Sequence, residues 1–294
     1  MSNEEIGVSL ICTVFNEEES IRDLLDSMLD QTRLPDEIVI VDGGSEDSTY
    51  EILKEYEKNN PDLLNIIQRN GVNIAEGRNI AIKKASHDYI VGTDGGCVLD
   101  ENWFEEMTSK FEEEYEYVVG MYKPMYDNLF EKVQGRIVCS GHTVEELKRG
   151  NRGPSSRSVG FSKKTWKDAG GYPEDLYTGE DSKFNSNVLK AGYEPGIAGE
   201  AYVYWRVRPT WKEFFNQFYT YGEGDARGGN LFTHPSKKLG ITKNLWLLGQ
   251  SFFTCLMLIL SVYSYFRSPA LFPYTLLLFA TGLITPSLYY LSSL

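Results

Sequence analysis

Glu37-Ile38-Val39-Ile40-Val41-Asp42-Gly43-Gly44-Ser45-Glu46-Asp47-Ser48-Thr49 decides the fold. Its apolar start reads as a short strand that stops at an aspartate and two glycines. Asp47-Ser48-Thr49 then supplies the acidic and hydroxyl residues that open helices, here expected to reach about Asn59. To the N-terminal side, Ile6 to Val14 is another β-branched run, followed by Asn16-Glu17-Glu18-Glu19-Ser20 and a helix through roughly Gln31. To the C-terminal side, Leu63 to Gln68 is a strand, Ile74 to Ala85 a helix, and Asp88 to Thr93 a strand ending at Asp94. Four alternations predict an α/β fold, a mostly parallel sheet with helices on both faces.

Beyond Asp94 the pattern is less regular. A helix is expected around Glu101 to Glu114, a strand near Tyr117 to Met121, and a polar loop from Lys148 to Arg157. Val159 to Ser162 reads as a short strand, Lys163 to Ala169 as a short helix before Gly170-Gly171-Tyr172-Pro173, and Asp181 to Ala191 as another helix. Thr210 to Gly222 carries Trp211, Phe214, Phe215 and Phe218 on one helical face. That face suits either a membrane interface or a protein core.

Two apolar stretches close the chain, Asn244 to Phe266 and Pro269 to Leu291. Each is about 20 residues or longer, enough to cross a bilayer as a helix. No Asp, Glu or Lys follows Asn244, and Arg267 falls in the break Arg267-Ser268-Pro269-Ala270. Trp246, Tyr263, Tyr265, Phe266, Tyr274, Tyr289 and Tyr290 lie near the ends of the runs, as interfacial aromatics do, and Lys237, Lys238 and Lys243 lie just upstream. The expectation is a transmembrane helical hairpin in the cell membrane, with everything before it in the cytoplasm. The competing reading is a buried helix pair. Expected domains are a catalytic unit over 1–209, with halves 1–100 and 101–209, an interfacial segment over 210–243, and two transmembrane helices over 244–294.

The 294 residues leave ample length for a core, and the formal net charge of −13 argues against nucleic acid, since no basic stripe exists to neutralise phosphates. Cys12, Cys97, Cys139 and Cys255 have no metal spacing and read as free thiols. His87, His142 and His234 are dispersed. The start, MSNEEIG, is polar and acidic, unlike a signal peptide. Oligomeric state is left open.

In open α/β sheets a ligand lies outside the carboxyl ends of the strands. That rule gathers Thr13 to Glu17, Asp42 to Ser45 and Asp94 to Cys97 along one edge. A carboxylate there can accept from a ribose diol or a base N–H, and glycines let backbone approach a ligand. Alone, an Asp-Gly after a strand is more often simply a turn.

The combination is more specific. Val14-Phe15-Asn16-Glu17-Glu18, Val41-Asp42-Gly43-Gly44-Ser45-Glu46-Asp47-Ser48-Thr49, Asn73-Ile74-Ala75-Glu76-Gly77-Arg78-Asn79 and Thr93-Asp94-Gly95-Gly96 occur in an order that resembles the nucleotide-sugar half of family-2 glycosyltransferases. Gly179-Glu180-Asp181-Ser182-Lys183-Phe184 is similar to that family's acceptor-side acidic motif. The resemblance covers about residues 7 to 205.

The resemblance implies a GT-A fold and inverting transfer of one sugar from a nucleoside diphosphate sugar. It assigns Val14, Phe15, Asn16, Glu17, Asp42, Gly44, Ser45, Arg78 and Asp94 to the donor. Asp181 would be the general base, with Gly160 and Glu180 on the acceptor side. Inversion by a single displacement needs one carboxylate to take the acceptor's proton while the nucleotide leaves from the opposite face. Without the resemblance, Glu180-Asp181 reads as an acidic pair meeting a helix dipole, a role compatible with catalysis.

The family usually has acidic residues on both sides of one intervening position where this chain has Asp94-Gly95-Gly96, and the second is the metal contact. With Gly96 there, Mg²⁺ or Mn²⁺ is expected on Asp94, alone, through water, or helped by another carboxylate such as Asp100, unless cationic side chains substitute. Arg206, Arg208 and Arg227 offer forked donors to a diphosphate or a lipid phosphate, and solvated surface arginines are the alternative. No Gln-x-x-Arg-Trp string of processive members is present, which favours single-sugar transfer. With the apolar C-terminus, the expected acceptor is lipid-linked. The rivals are a catalytically silent nucleotide-sugar-binding membrane scaffold and a nucleotidyltransferase, the latter disfavoured by the acidic Asn16-Glu17-Glu18-Glu19 after the first strand.

Overall fold

In the computed structural model, which describes residues 6–139, 143–149, 154–227, 243–268 and 270–291, the strand and helix units begin in the expected order. They are β1 (Val8–Val14), α1 (Ile21–Leu29), β2 (Glu37–Asp42), α2 (Thr49–Asn59), β3 (Leu64–Gln68), α3 (Ile74–Lys84) and β4 (Tyr89–Asp94). β1 pairs in parallel with both β2 and β4, and β2 with β3. Successive side chains of a strand point to opposite faces, and here both faces are covered. Leu10, Cys12, Ile38 and Ile40 enter one core, while Ile11, Val39 and Val41 enter the other. That is why these strands read as continuous apolar runs.

The second half is mixed. It contains β5 (Cys97–Leu99), α4 (Trp103–Glu112), β6 (Tyr117–Met125), α5 (Leu129–Cys139), α6 (Val144–Lys148), β7 (Val159–Ser162), α7 (Lys163–Asp168), α8 (Glu180–Lys190), β8 (Gly196–Arg206) and α9 (Trp211–Arg227). The sheet has eight strands in the order β3-β2-β1-β4-β7-β6-β8-β5. β7 runs antiparallel to β4 and to β6, β6 parallel to β8, and β5 antiparallel to β8. The α/β expectation therefore stands, with antiparallel pairing added beyond β4.

The chain divides into units Met1–Gly224 and Asp225–Leu294, so the boundary falls inside α9 rather than after residue 209. The aromatic segment packs in part on the first unit. Trp211 and Phe214 meet Phe130 of α5 at centroid distances of 4.4 and 6.2 Å, while Trp211, Phe215, Phe218 and Tyr219 remain largely exposed.

The second unit holds α10 (Lys243–Arg267) and α11 (Phe272–Leu291), with Ser264 Oγ and Thr275 Oγ1 bonded at 2.8 Å between them. The helical hairpin forms. Among the described residues, however, no helix is long and apolar enough to cross a membrane, so the expected transmembrane spans are corrected to a helix pair. Within α10, the hydroxyls of Thr254 and Ser261 turn back onto the carbonyls of Gln250 and Met257. Lys237, Lys238, His142 and His234 lie outside the described residues, as do the side chains of Lys243, Trp246, Arg227, Tyr289 and Tyr290.

Candidate active site

The carboxyl ends of β1, β2 and β4 are side by side, since Val14 pairs with Asp42 and Thr13 with Asp94. The turns leaving them are bonded to one another. Asn16 donates its N–H to Ser45 Oγ at 2.9 Å, and its Oδ1 accepts from Glu46 N–H at 2.8 Å. Glu17 N–H donates to Thr49 Oγ1 at 2.8 Å, and Gly43 N–H to the Val14 carbonyl at 2.9 Å. Asn16 has φ 53°, a left-handed conformation that asparagine tolerates. Gly44 has φ 95°, and a Cβ there would meet Asn70 Cα at 2.8 Å, so both conformation and space call for glycine. Phe15 is left 54 % exposed at this edge.

Asp42 is fully buried. Its Oδ1 accepts from Ser45 Oγ at 2.5 Å, and its Oδ2 from Gln68 Nε2 at 3.0 Å. The carboxylate thus shapes its own turn, and a ribose would have to displace one of those donors.

Five of the seven residues of the α3 motif have a physical task visible in the structure. Asn73 and Glu76 form a reciprocal cap, with bonds of 2.9 and 2.7 Å. Gly77 lets the helix sit on β1, since a Cβ there would meet Thr13 Cγ2 at 2.4 Å. Arg78 then points inward and bridges two carboxylates, bonding Asp94 Oδ1 at 2.5 Å and Glu180 Oε1 at 2.7 Å. Its guanidinium lies 5.1 Å from the ring centroid of Tyr172. Asn79 donates to the Tyr172 carbonyl and to Glu174 Oε1, each at 2.8 Å.

Arg78 is therefore the joint between the donor edge at Asp94 and the start of α8. That helix begins after Gly179, which has φ 78°. Glu180 is buried against Arg78. Its carboxyl is pushed up by burial, opposed by Arg78 and reinforced by the neighbouring charge of Asp181. Asp181 is partly exposed, and among the described residues its bonded donors are the N–H and hydroxyl of Ser182, at 2.6 and 3.4 Å. Glu180 is committed to the ion pair with Arg78, while Asp181 keeps part of its surface open and no cation within ion-pair distance among the described residues, which leaves it available to an incoming acceptor.

The residues present do not fit a metal ion held by the protein itself. Asp94 already accepts from Arg78, Gly96 carries no carboxylate, and among the described residues no group of three or more His, Cys, Asp or Glu could hold an ion. The nearest other acid is Glu17. A Cβ at Gly95 would lie 3.2 Å from its Oε1, and one at Gly96 3.4 Å from its Oε2. Burial pushes the Glu17 carboxyl above its ordinary value, while the Ser20 hydroxyl donates to it and Arg208 opposes the shift. Asp100 is instead bonded by the Tyr204 hydroxyl at 3.0 Å.

Arg206 pairs with Asp127 at 3.2 Å and more loosely with Asp23 at 3.9 Å, and Arg208 is exposed. The acceptor role expected of Gly160 is corrected. It is buried mid-strand between Val91 and Val118, and a Cβ would meet Phe111 Cζ at 2.9 Å, so the glycine makes room for a core ring. Cys97 is buried with its thiol pushed up to about 12 by burial, which fits a packing role. The sequence reading missed Asn79, Tyr172 and Arg157. Asn79 lay inside a quoted motif, whereas Arg157 ends a polar loop that carries no local signal.

A parallel-led α/β sheet with acidic turns at its carboxyl edge and a partly exposed carboxylate on a helix start is the arrangement of a GT-A fold. The chain belongs to family 2 of the glycosyltransferases, since the model of "Glycosyl transferase family 2" matches residues 9–165. It is 27 % identical over 215 residues to the uncharacterized glycosyltransferase EpsJ of Bacillus subtilis, covering 69 % of this chain and 61 % of that one. It is 33 % identical over 96 residues to the poly-beta-1,6-N-acetyl-D-glucosamine synthase of Staphylococcus epidermidis, covering 33 % and 23 %. The chain thus spans less than two thirds of either relative. Among solved structures, S. aureus TarS 1-349 in complex with UDP-GlcNAc has TM-score 0.56 at 22 % identity, covering 70 % of this chain and 60 % of that one. GalNAc-T7 with UDP, GalNAc and Mn²⁺ has TM-score 0.57 at 14 % identity, covering 70 % and 45 %. At these identities the two structures speak for the fold.

Proposed function

We propose that this enzyme moves one sugar, with inversion, from a nucleoside diphosphate sugar to a hydroxyl or phosphate of a lipid-linked acceptor at the cytoplasmic face of a membrane. The observation that carries the reading is the partly exposed Asp181, without a cation partner among the described residues, beside the ion-paired Glu180–Arg78–Asp94 chain. Asp181 takes the acceptor's proton, the acceptor oxygen attacks the anomeric carbon, and the nucleoside diphosphate leaves from the opposite face. Phe15, Asn16, Glu17, Asp42, Gly44 and Ser45 hold base and ribose, with Asp94 at the inner end of that row.

A UDP-N-acetylhexosamine is the favoured donor class. TarS is described with UDP-GlcNAc, and the staphylococcal relative is named for an N-acetylglucosamine polymer. The expected Mg²⁺ or Mn²⁺ finds no set of protein ligands among the described residues, and the transfer proposed here is not routed through it.

Membrane attachment is supported by the apolar side chains left open on the C-terminal helices. Phe252 is 73 % exposed and Phe266 74 %, and Ile259 and Leu277 are similarly bare. Such surface is costly in water and favourable in lipid.

The test is incubation of the full chain in membranes with labelled nucleotide sugars, followed by lipid extraction. Label in the organic phase, lost in Asp181→Asn, supports the reading. Label that stays aqueous removes the lipid acceptor. Donor binding without turnover on any acceptor favours the silent scaffold.

A further inference from the structure

Arg157 is a cation that none of the quoted family motifs contains. β7 runs antiparallel to β4, with Tyr89 opposite Ser162 and Gly92 opposite Val159. Arg157 lies two residues before β7, in the turn that Ser158 N–H closes on the Ser155 carbonyl at 3.1 Å, beyond the end of β7 that adjoins the carboxyl end of β4. Arg157 therefore stands at the carboxyl edge of the sheet, where the donor diphosphate must lie if the reading above holds.

Its surroundings are unusual for an arginine. The guanidinium lies 4.2 Å from the ring centroid of Trp205 and 5.4 Å from that of Tyr122. Trp205 pairs with Cys97, the residue after Gly96, which ties this slot to the Asp94-Gly95-Gly96 turn. Nη1 donates to Ser155 Oγ at 3.1 Å, while Nε is fully covered and has no hydrogen-bond partner among the described residues. Among the described residues no carboxylate lies within ion-pair distance, whereas Arg78 has two and Arg206 two. An orphaned donor on a half-buried, unpaired cation carries a desolvation cost that a bound anion would relieve. The aromatic walls attract the cation and hold its plane fixed.

We propose that Arg157 is the diphosphate clamp of this enzyme, supplying from the protein the positive charge that family members obtain from a metal at the position of Gly96. In the step it serves, the bond between the anomeric carbon and the diphosphate oxygen breaks, and its electron pair stays on that oxygen. The acceptor oxygen forms the new bond to the anomeric carbon, and its proton passes to Asp181. The guanidinium meets the charge that builds on the departing diphosphate.

The inference rests on the nucleotide-sugar reading, and calorimetric binding separates the two. UDP is compared with UMP, and GDP with GMP, for wild type and Arg157→Met in excess EDTA. Wild type should prefer the diphosphate without metal, and the variant should lose roughly 10- to 100-fold of that preference while still binding the monophosphate, the scale of a charged hydrogen bond. A variant with the wild-type preference overturns the clamp alone, as does a wild-type preference that appears only with Mg²⁺. Wild type that binds none of the four nucleotides overturns the donor reading as well. Should Arg157→Met not fold, the arginine Nε–H NMR signals of wild type decide. The signal absent from Arg157→Lys must shift on adding the preferred diphosphate, and one that stays put overturns the proposal.

Discussion

Asp181 and Glu180 are adjacent in the chain and opposite in circumstance, so substitutions at the two should fail differently. Asp181→Asn keeps the shape and the Ser182 contact but removes the proton acceptor. Transfer should fall by on the order of 10²- to 10⁴-fold with nucleotide affinity unchanged. Equal loss of turnover and affinity would remove Asp181 from the role of base. Arg78→Met leaves the buried Glu180 and the half-buried Asp94 without their cation, and should lower stability by about 3–5 kcal/mol in urea unfolding, the scale for breaking a buried pair. Glu17 gives a pH signature. Burial raises its carboxyl in the folded chain, so the folded state keeps a proton that the unfolded chain has released. This group therefore costs stability as pH rises from the usual carboxylate range through its raised folded value. Glu17→Gln should gain on wild type across that window and not below it, and parallel stability–pH curves would contradict the burial argument. At this scale the sequence named Asp94, Asp181, Glu180 and Arg78 but not their division of labour. Which of two neighbouring acids turns inward depends on where Arg78 arrives, and Arg78 lies 102 positions from Glu180 in the chain.

α3 shows how closely elements must approach for the residues to meet. Gly77→Ala would drive a methyl group into Thr13, moving the helix that carries Arg78. A loss of about 1–3 kcal/mol, typical of overpacking, should appear in thermal unfolding together with weaker nucleotide binding. Retained affinity at lowered stability would show that Arg78 is set independently of the helix's approach. The elements up to β4 were legible because each apolar strand ends in an acidic or glycine turn and each helix opens on a polar residue. β5 was missed because it is short, Cys97–Leu99. β8 was missed because its inward positions include the small residues Gly196, Ala198 and Ala201, which give no apolar alternation of the usual strength. α5 and α6 did carry signals, since Asn128 caps the Glu131 N–H at 3.0 Å and Thr143 caps the Glu146 N–H at 3.3 Å, both with the residue three positions on. Gly160 misled in the opposite direction, because a glycine needed for a core ring looks in sequence like one needed for a ligand.

Across the whole molecule, the two units make separable demands. A chain ending at Gly224 keeps the first unit, and should bind nucleotide and stay in the soluble fraction while the full chain sediments with membranes. Sedimentation of the shorter chain would instead assign the attachment to the exposed aromatics of α9. The apolar length of the C-terminus was plain in sequence, but length alone does not distinguish a pair that crosses a bilayer from one that lies against it. Finally, the Asp94–Arg78–Glu180 bridge sets a rule for anyone recombining this enzyme with its relatives. A graft that exchanges the acceptor half while keeping the donor half, or the reverse, must bring a carboxylate to the place of Glu180, or the splice will strand a buried arginine. Swaps of specificity between such enzymes thus have a compatibility key of three residues, checkable before any gene is built.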